Sequence, residues 1–526
     1  MLRYLFITLF LFFSCQSPKP YDVLITNGRV IDGSGGPSYT MDVAILGDTI
    51  AAMGNLKGKK ALKIIDASGK VVSPGFIDAH THAIRGIYDV PTAAPFILQG
   101  VTTLTDGNDG TSPFPIGTHY EKIEATTIAP NWAVFVGQGT VRKAVMGLEN
   151  RAPTDAELKQ MKALTQQAME EGALGLSTGL FYVPGSFSTT EEIIALAQVA
   201  GTYGGSYISH MRDEAAAIEA SVAETIAIGT AAQLPVQITH HKVIGKSNWG
   251  LSKKTLKQVD DAVAKGQEVY IDQYPYTASQ TSLNALIPQW AQAGGRNELL
   301  ARLDNSKTCA RIKKEVVQRI LYDRGGGHPK NIFISECTWA PEKEGKNLAQ
   351  LLEDKNLPPT PENAADLVFE LLRGGFVRAV YHAISEKDIT TIMQHPLAAI
   401  ASDGPLMEFG VGKPHPRSYG TFARVLGKYV AQDSIISLET AIRKMTSLPA
   451  KALSIEKRGL LTQGYYADIA IIDPATIIDH ATFKNPHQYA TGVDHVFVNG
   501  TAVVAEGKTT GLRPGRVLRG PGFTKN

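Results

Sequence analysis

From about residue 71 to residue 401 the chain repeats one pattern. A short apolar run is followed by a turn rich in Gly or polar residues, then by a longer stretch with apolar residues spaced three and four apart. The short runs predict strands at Val71 to Ile77, Val101 to Thr105, Trp132 to Val136, Leu174 to Ser177, Ser206 to Ser209, Val236 to Thr239, Glu268 to Asp272 and Ala398 to Ala401. The longer stretches predict helices over Asp155 to Glu171, Thr189 to Tyr203, Glu214 to Gln233 and Ser252 to Lys265. Thr189 and Thr190, followed by Glu191 and Glu192, form a helix start. Alternating units of this kind predict an α/β chain folded as a (β/α)8 TIM barrel.

The two ends read differently. Val23 to Ile25, Asp42 to Ile45 and Leu62 to Ile65 are short strand-like runs punctuated by Asn27-Gly28 and by the Gly33 to Gly36 turn. Ala467 to Ile472 and Val493 to Val498 have the same texture, and Asn499-Gly500 is a hairpin signal. The simplest account is one small β-sandwich domain built from both chain ends, residues 21–70 and 456–526, beside a barrel over 71–455. The seventh and eighth predicted strands are more than a hundred residues apart. An insertion over about 281–385 accounts for this, with helices at Pro361 to Arg373 and, beyond it, Glu386 to His395. Insertions at that face of a barrel often close over the site.

Residues 1–20 stand apart. Arg3 precedes an apolar run from Tyr4 to Phe13 that is too short to span a bilayer and reads as a secretory signal. Cys15, after Ser14, resembles a bacterial lipoprotein acylation site, although Phe12 stands where such signals usually carry Leu. Export is therefore expected, to the periplasm or a membrane-anchored state, with the lipid at Cys15 as the sole membrane contact. Beyond this segment only Cys309 and Cys337 remain, leaving room for one disulfide but for no disulfide framework and no Cys-rich zinc site.

Composition narrows the class. The chain has 526 residues, 43% hydrophobic and 19% charged, as a folded enzyme does and a disordered chain does not. With 52 Lys and Arg against 50 Asp and Glu, the net charge of +2 gives no electrostatic reason to expect nucleic acid. Oligomeric state is left open.

The chemistry lies at the strand ends. His80 and His82 follow the first predicted strand, Asp109 the second, His210 the fifth, His240 the sixth and Asp403 the eighth. In a barrel those ends converge on one mouth. A His-x-His pair on an extended segment points both rings to one side, where they can share a cation. Asp106 competes with Asp109 for the ligand role, and His241 should point away from the site. Neutral imidazole and carboxylate suit Zn²⁺, one or two ions per subunit, which would make a bound water a hydroxide near neutral pH. Asp403, in Ala401-Ser402-Asp403-Gly404, is the natural general base and acid.

The run Gly75-Phe76-Ile77-Asp78-Ala79-His80-Thr81-His82 resembles the first-strand signature of the amidohydrolase superfamily. Gly175-Leu176-Ser177-Thr178-Gly179, Ser209-His210-Met211-Arg212-Asp213-Glu214, Thr239-His240-His241-Lys242 and Lys413-Pro414-His415-Pro416-Arg417 are similar to its N-acyl-D-amino-acid deacylase (D-aminoacylase) branch. The resemblance implies a metal site of His80, His82, Asp109, His210 and His240, with Asp403 as catalytic acid and base. It also implies that Tyr182, Lys242 and Arg417 hold a substrate carboxylate, a role that suits a guanidinium fork and two further donors. Tyr274 is a candidate pocket wall. The implied substrate is a small molecule with a free carboxylate, an N-acyl-D-amino acid. A dipeptidase cutting before a C-terminal D-residue would need the same clamp. Cyclic-amide hydrolases of the superfamily often carry a carboxylated Lys in strand four, and Ala173 to Leu180 has none. A binding lipoprotein without turnover would not need the full ligand set. One departure stands out: familiar members have Cys in the Gly-Asn-Cys-Gly segment, and this chain has Gly107-Asn108-Asp109-Gly110. Asp is a harder ligand than thiolate, so support for two ions or a changed metal preference is expected.

Overall fold

A computed structural model describes residues 19–524, so the Cys15 acylation site and the signal lie outside the described residues. Its centre is a run of parallel strands joined through helices. Phe76–Asp78, Val101–Asp106 and Asn131–Val134 form one set. Val136–Gly137, Gly175–Gly179, Ser206–His210, Val236–Ile238, Val269–Gln273 and Ala398–Ile400 form the next, each parallel to its neighbour. Only Phe135 separates Asn131–Val134 from Val136–Gly137. Past the two outermost strands, Thr81–His82 pairs in parallel with Gly404–Pro405, and the Asp403 N–H donates to the His80 carbonyl at 2.8 Å. These strands are buried throughout their length, polar residues such as Thr103, Ser177 and Asp272 included, so they do not show the alternation of a half-exposed strand.

The helices follow their local signals. Thr154 caps Asp155–Glu170 in a reciprocal capping box with Glu157. The Thr189 hydroxyl accepts from Glu192 N to start Thr190–Thr202. Two expectations shift. The predicted first strand is really two. Val71–Pro74 pairs with Ile469–Ile472 of the end sheet, and the chain turns at Gly75 before the parallel set begins. A Cβ at Gly75 would lie 2.2 Å from the Thr102 side chain, so only glycine lets the strands approach there. The helix predicted from Glu214 starts instead at Ile218, because the Asp213 carboxylate captures the N–H groups of Ala215 and Ala217. Glu214 is thereby released from the helix.

At the ends, one sheet joins Thr49–Gly54, Asp42–Leu46, Tyr21–Thr26 and Ala61–Asp66. A second has seven strands and draws on both chain ends, from Arg29–Val30 to Lys508–Thr509. Val23, Ile25, Val43, Val72, Ile469 and Phe497 are buried in one cluster contributed by both sheets. The segment after Tyr276 builds an antiparallel sheet of Ser279–Ser282, Arg378–Tyr381 and Ile332–Glu336. Its helices, among them Ser306–Tyr322 and Pro361–Gly374, bury a separate apolar cluster. Cys309 and Cys337 are both free thiols.

A histidine joins the helix Ile116–Thr126 to the strand Asn131–Val134. The fully buried Trp132 donates its indole N–H to His119 Nε2 at 2.9 Å, and His119 Nδ1 lies 2.8 Å from Tyr88 Oη. Indole only donates, so Nε2 must stay unprotonated. Burial, and then Lys122, push His119 down to about 4. The unfolded chain titrates near ~6.5. Below that pH the unfolded state takes up a proton the folded state refuses, so this stability is complete above ~6.5 and is lost as pH falls towards the folded value. Replacing His119 with Gln, which keeps an acceptor but does not titrate, should reduce the loss of stability on going from neutral pH to about pH 5 by about 2 kcal/mol. Equal acid sensitivity of the two proteins in urea melts followed by Trp fluorescence would refute this.

Candidate active site

The strand ends bring the expected residues together. Asp109 stands at the centre. Its Oδ1 is 3.5 Å from His80 Nε2 and 3.4 Å from His240 Nε2, and its Oδ2 is 3.5 Å from both His82 Nε2 and His210 Nδ1. Asp403 Oδ1 lies 3.2 Å from His82 Nε2 and 3.7 Å from His80 Nε2. His210 Nδ1 and His240 Nε2 face each other at 2.7 Å. Two donor groups result, His80, His82, Asp109 and Asp403 in one, Asp109, His210 and His240 in the other, sharing Asp109.

The geometry suits a metal. Donors of a tetrahedral zinc, with bonds of ~2.0–2.1 Å, lie about 3.3 Å apart, close to most of the separations above. His80 Nε2 and Asp109 Oδ1, both buried and both facing the cluster, have no hydrogen-bond partner among the described residues, a cost that a cation would relieve. Charges agree. Burial holds His210 down to about 4, in the neutral form a ligand needs. Burial and Lys242 also press on His240, but Asp109 and Glu214 outweigh them and lift it to about 10. A cation would take the place of that proton. Burial opposes ionisation of Asp109, yet the rings of His240, His80 and His210 hold it well below the usual carboxylate range.

The backbone is shaped to present these groups. Asp109, His240 and Asp403 all occupy the left-handed region, with φ of 55°, 35° and 51°, where residues other than glycine rarely sit. Gly107 precedes Asp109 at φ 76°, and a Cβ there would lie 2.2 Å from the Phe135 carbonyl oxygen. The rival, Asp106, is spent elsewhere. Its carboxylate accepts from the N–H groups of Ile84 at 2.8 Å and Gly107 at 2.6 Å, and it belongs to neither donor group. His241 points away, its Nε2 2.9 Å from the Thr255 hydroxyl.

The residues expected to hold a carboxylate, Tyr182, Lys242 and Arg417, and the expected pocket wall Tyr274 line one cavity of about 430 Å³ together with His82, Asp109, His210, His240 and Asp403. Without substrate each has an internal partner or packing contact. Arg417 Nη1 forms an ion pair with Asp403, 2.7 Å from its Oδ2. Lys242 Nζ donates to Glu214 Oε1 at 2.5 Å, and Tyr182 Oη is 3.0 Å from the Thr281 hydroxyl. The Arg417 guanidinium stacks 4.7 Å over the Tyr274 ring, whose buried hydroxyl has no partner among the described residues. Arg417 is itself steered by His415, whose Nδ1 accepts the Arg417 N–H at 3.1 Å.

Two carboxylates escaped the sequence reading. Glu214 is buried with Oε1 3.2 Å from His240 Nδ1 and Oε2 3.7 Å from His210 Nε2, and it also meets Lys242 and Arg324. It orients the outer faces of both rings, as carboxylates behind metal-bound histidines do. Its only sequence signal is a Glu four residues after His210. Asp272, at the end of Val269–Gln273, accepts the His240 N–H at 2.7 Å and lies 3.8 Å from His80 Nδ1. Glu214→Gln keeps the volume and removes the charge. It should weaken zinc affinity by about 10–100-fold, read by competition with a chelator. An unchanged affinity would leave Glu214 a structural ion pair.

Against known proteins, the amidohydrolase family profile matches residues 63–504. A D-aminoacylase of Alcaligenes xylosoxydans xylosoxydans is 37% identical across 96% of this chain and 99% of its own. The solved N-acyl-D-glutamate deacylase of Bordetella bronchiseptica, in complex with zinc and a phosphonate mimic of the tetrahedral intermediate, superposes with a TM-score of 0.81 at 33% identity, covering 95% of this chain and 100% of that one. A D-aminoacylase structure concerned with a binuclear metal centre, one-metal activation and second-metal attenuation, has a TM-score of 0.81 at 36% identity and the same coverage.

Proposed function

Because the chain belongs to the amidohydrolase family and has its α/β fold, we propose that it hydrolyses the amide bond of N-acyl-D-amino acids in a zinc-dependent reaction. The observation that carries the reading is the convergence of four histidines on Asp109, with Asp403 at the same rim. The parallel strands are read as a closed (β/α)8 barrel, a reading supported by the pairing of Thr81–His82 with Gly404–Pro405. The two end sheets are read as a β-sandwich, supported by their shared cluster. Export and lipidation at Cys15 belong to the same proposal and rest on the sequence of residues 1–20.

Zinc held by His80, His82, Asp109, His210 and His240 would polarise the scissile carbonyl and acidify a water. The other roles fall to the chain. Asp403 is held ionised: burial alone would raise its pKa, but the Arg417 charge together with the rings of His82, His80 and His240 holds it below the usual carboxylate range. It can take a proton from the attacking water and return it to the leaving amine. Arg417 holds Asp403 in the free site, and a substrate carboxylate entering beside Tyr182 and Lys242 competes for the same guanidinium fork. Glu214 and Asp272 keep the rings aimed.

The test is a stereochemically paired screen. Protein stripped by a chelator and reloaded with zinc should hydrolyse N-acetyl-D-amino acids and spare their L-enantiomers. L,D-dipeptides run beside them separate a dipeptidase. Turnover that survives metal removal, or equal rates on both enantiomers, would overturn the proposal.

A further inference from the structure

One of the cations lining the cavity lacks a close carboxylate partner among the described residues, although Asp106, Asp109 and Asp403 also line the cavity. Arg85, Lys242, Arg324, Arg378 and Arg417 all line it. Glu214 is shared between Lys242 and Arg324, Asp403 answers Arg417, and Glu336 Oε2 meets Arg378 Nε at 3.0 Å. Arg85 ends the short turn Ala83–Arg85 just past His82, and it feels Asp106, Asp403 and Glu336 without a close pair to any of them among the described residues. Arg378 opens the strand Arg378–Tyr381 of the covering sheet. Burial, and then the nearby Arg85 charge, push Arg378 down to about 10. Glu336 pairs closely with Arg378 and not with Arg85, which leaves the Arg85 guanidinium able to receive a further anion.

The rest of the wall agrees. Ser279, Gln280, Thr281 and Ser282 present a polar edge to the same space, opposite apolar surface from Ile84, Val183 and Phe376. A guanidinium pair and a row of hydroxyl and amide groups match a carboxylate.

We propose that Arg85 and Arg378 form a second anion subsite, so that the preferred substrate is an N-acyl amino acid carrying a further carboxylate besides the one at Tyr182, Lys242 and Arg417. This rests on the proposed amide hydrolysis and adds the substrate class. The second carboxylate can come from the amino-acid side chain or from the acyl group. Both present the same chemistry to the pair, on the His82 and Asp403 side of the cavity.

Three probes distinguish the sources on zinc-loaded, full-length protein: N-acetyl-D-glutamate, N-succinyl-D-leucine and N-acetyl-D-leucine. One of the two dicarboxylates should exceed N-acetyl-D-leucine in kcat/KM by about tenfold or more, and the better one names the source. In Arg85→Met and in Arg378→Met that ratio should fall by about tenfold. Arg378 also tethers Glu336, so exposed Arg85 gives the cleaner variant, with thermal melts checking both folds. Hydrolysis of N-acetyl-D-leucine at equal or higher efficiency, or a ratio that moves less than about twofold in Arg85→Met, overturns the subsite and leaves the hydrolase standing. Absence of turnover on all three overturns both.

Discussion

Asp403→Asn is expected to lower turnover by about 10²–10⁴-fold while zinc content stays near that of the unaltered protein. The two readouts separate because of where Asp403 sits. It belongs to one of the two donor groups, and the other, Asp109 with His210 and His240, is complete without it. Asn is nearly isosteric, can still accept from Arg417, and does not alter the hydrogen bonds that shape the turn, the Ser402 N–H to Asp78 at 2.9 Å and the Gly404 N–H to the Ser402 hydroxyl at 2.9 Å. What it loses is the ability to take a proton. Metal analysis alongside single-turnover rates decides the matter. Turnover within about tenfold of the original would remove Asp403 from proton transfer, and loss of zinc would make it chiefly a ligand.

The sequence already carried the residues that the structure brings together, because strand ends in a parallel sheet are marked by the end of an apolar run and these residues follow at once. His80, His210 and His240 could be read in that way. The choice between Asp106 and Asp109 could not. It depends on a left-handed turn at Asp109 and on two backbone N–H groups that claim Asp106. Glu214 was hidden for a related reason. Helical spacing continues smoothly through residues 214 to 217, and only the Asp213 side chain, by capturing the backbone there, delays the helix and leaves Glu214 behind His210 and His240. The merging of Val71–Pro74 with Phe76–Asp78 has the same origin. Both are buried apolar strands, and the break between them is one glycine forced by the closeness of Thr102. Arg85 and Arg378 had no local signal, since the cavity that joins them is assembled from segments almost three hundred residues apart.

Arg417→Met should reveal two effects that one side chain couples. The first is on binding. KM for substrates with a free carboxylate should rise sharply, and much less for their esters or amides, because the fork that matches a carboxylate is gone. The second is on the pH profile. Asp403 works as a base only when ionised. Burial alone would raise its pKa, and the Arg417 charge at 2.7 Å is the main influence holding it below the usual carboxylate range. Removing that charge moves the Asp403 pKa up, so kcat/KM should begin to fall at a higher pH as the solution is acidified, with about tenfold lost for each unit below the new value. The ester substrates isolate this second effect, since they do not use the clamp. An acid limb that stays in place while KM rises would mean that Arg417 serves the substrate alone. A displaced limb with both substrate types equally affected would mean that it serves Asp403 alone. A split between the two fits a guanidinium that passes from base to substrate carboxylate on binding, which would explain why a fully buried arginine faces the proposed catalytic carboxylate in the free site.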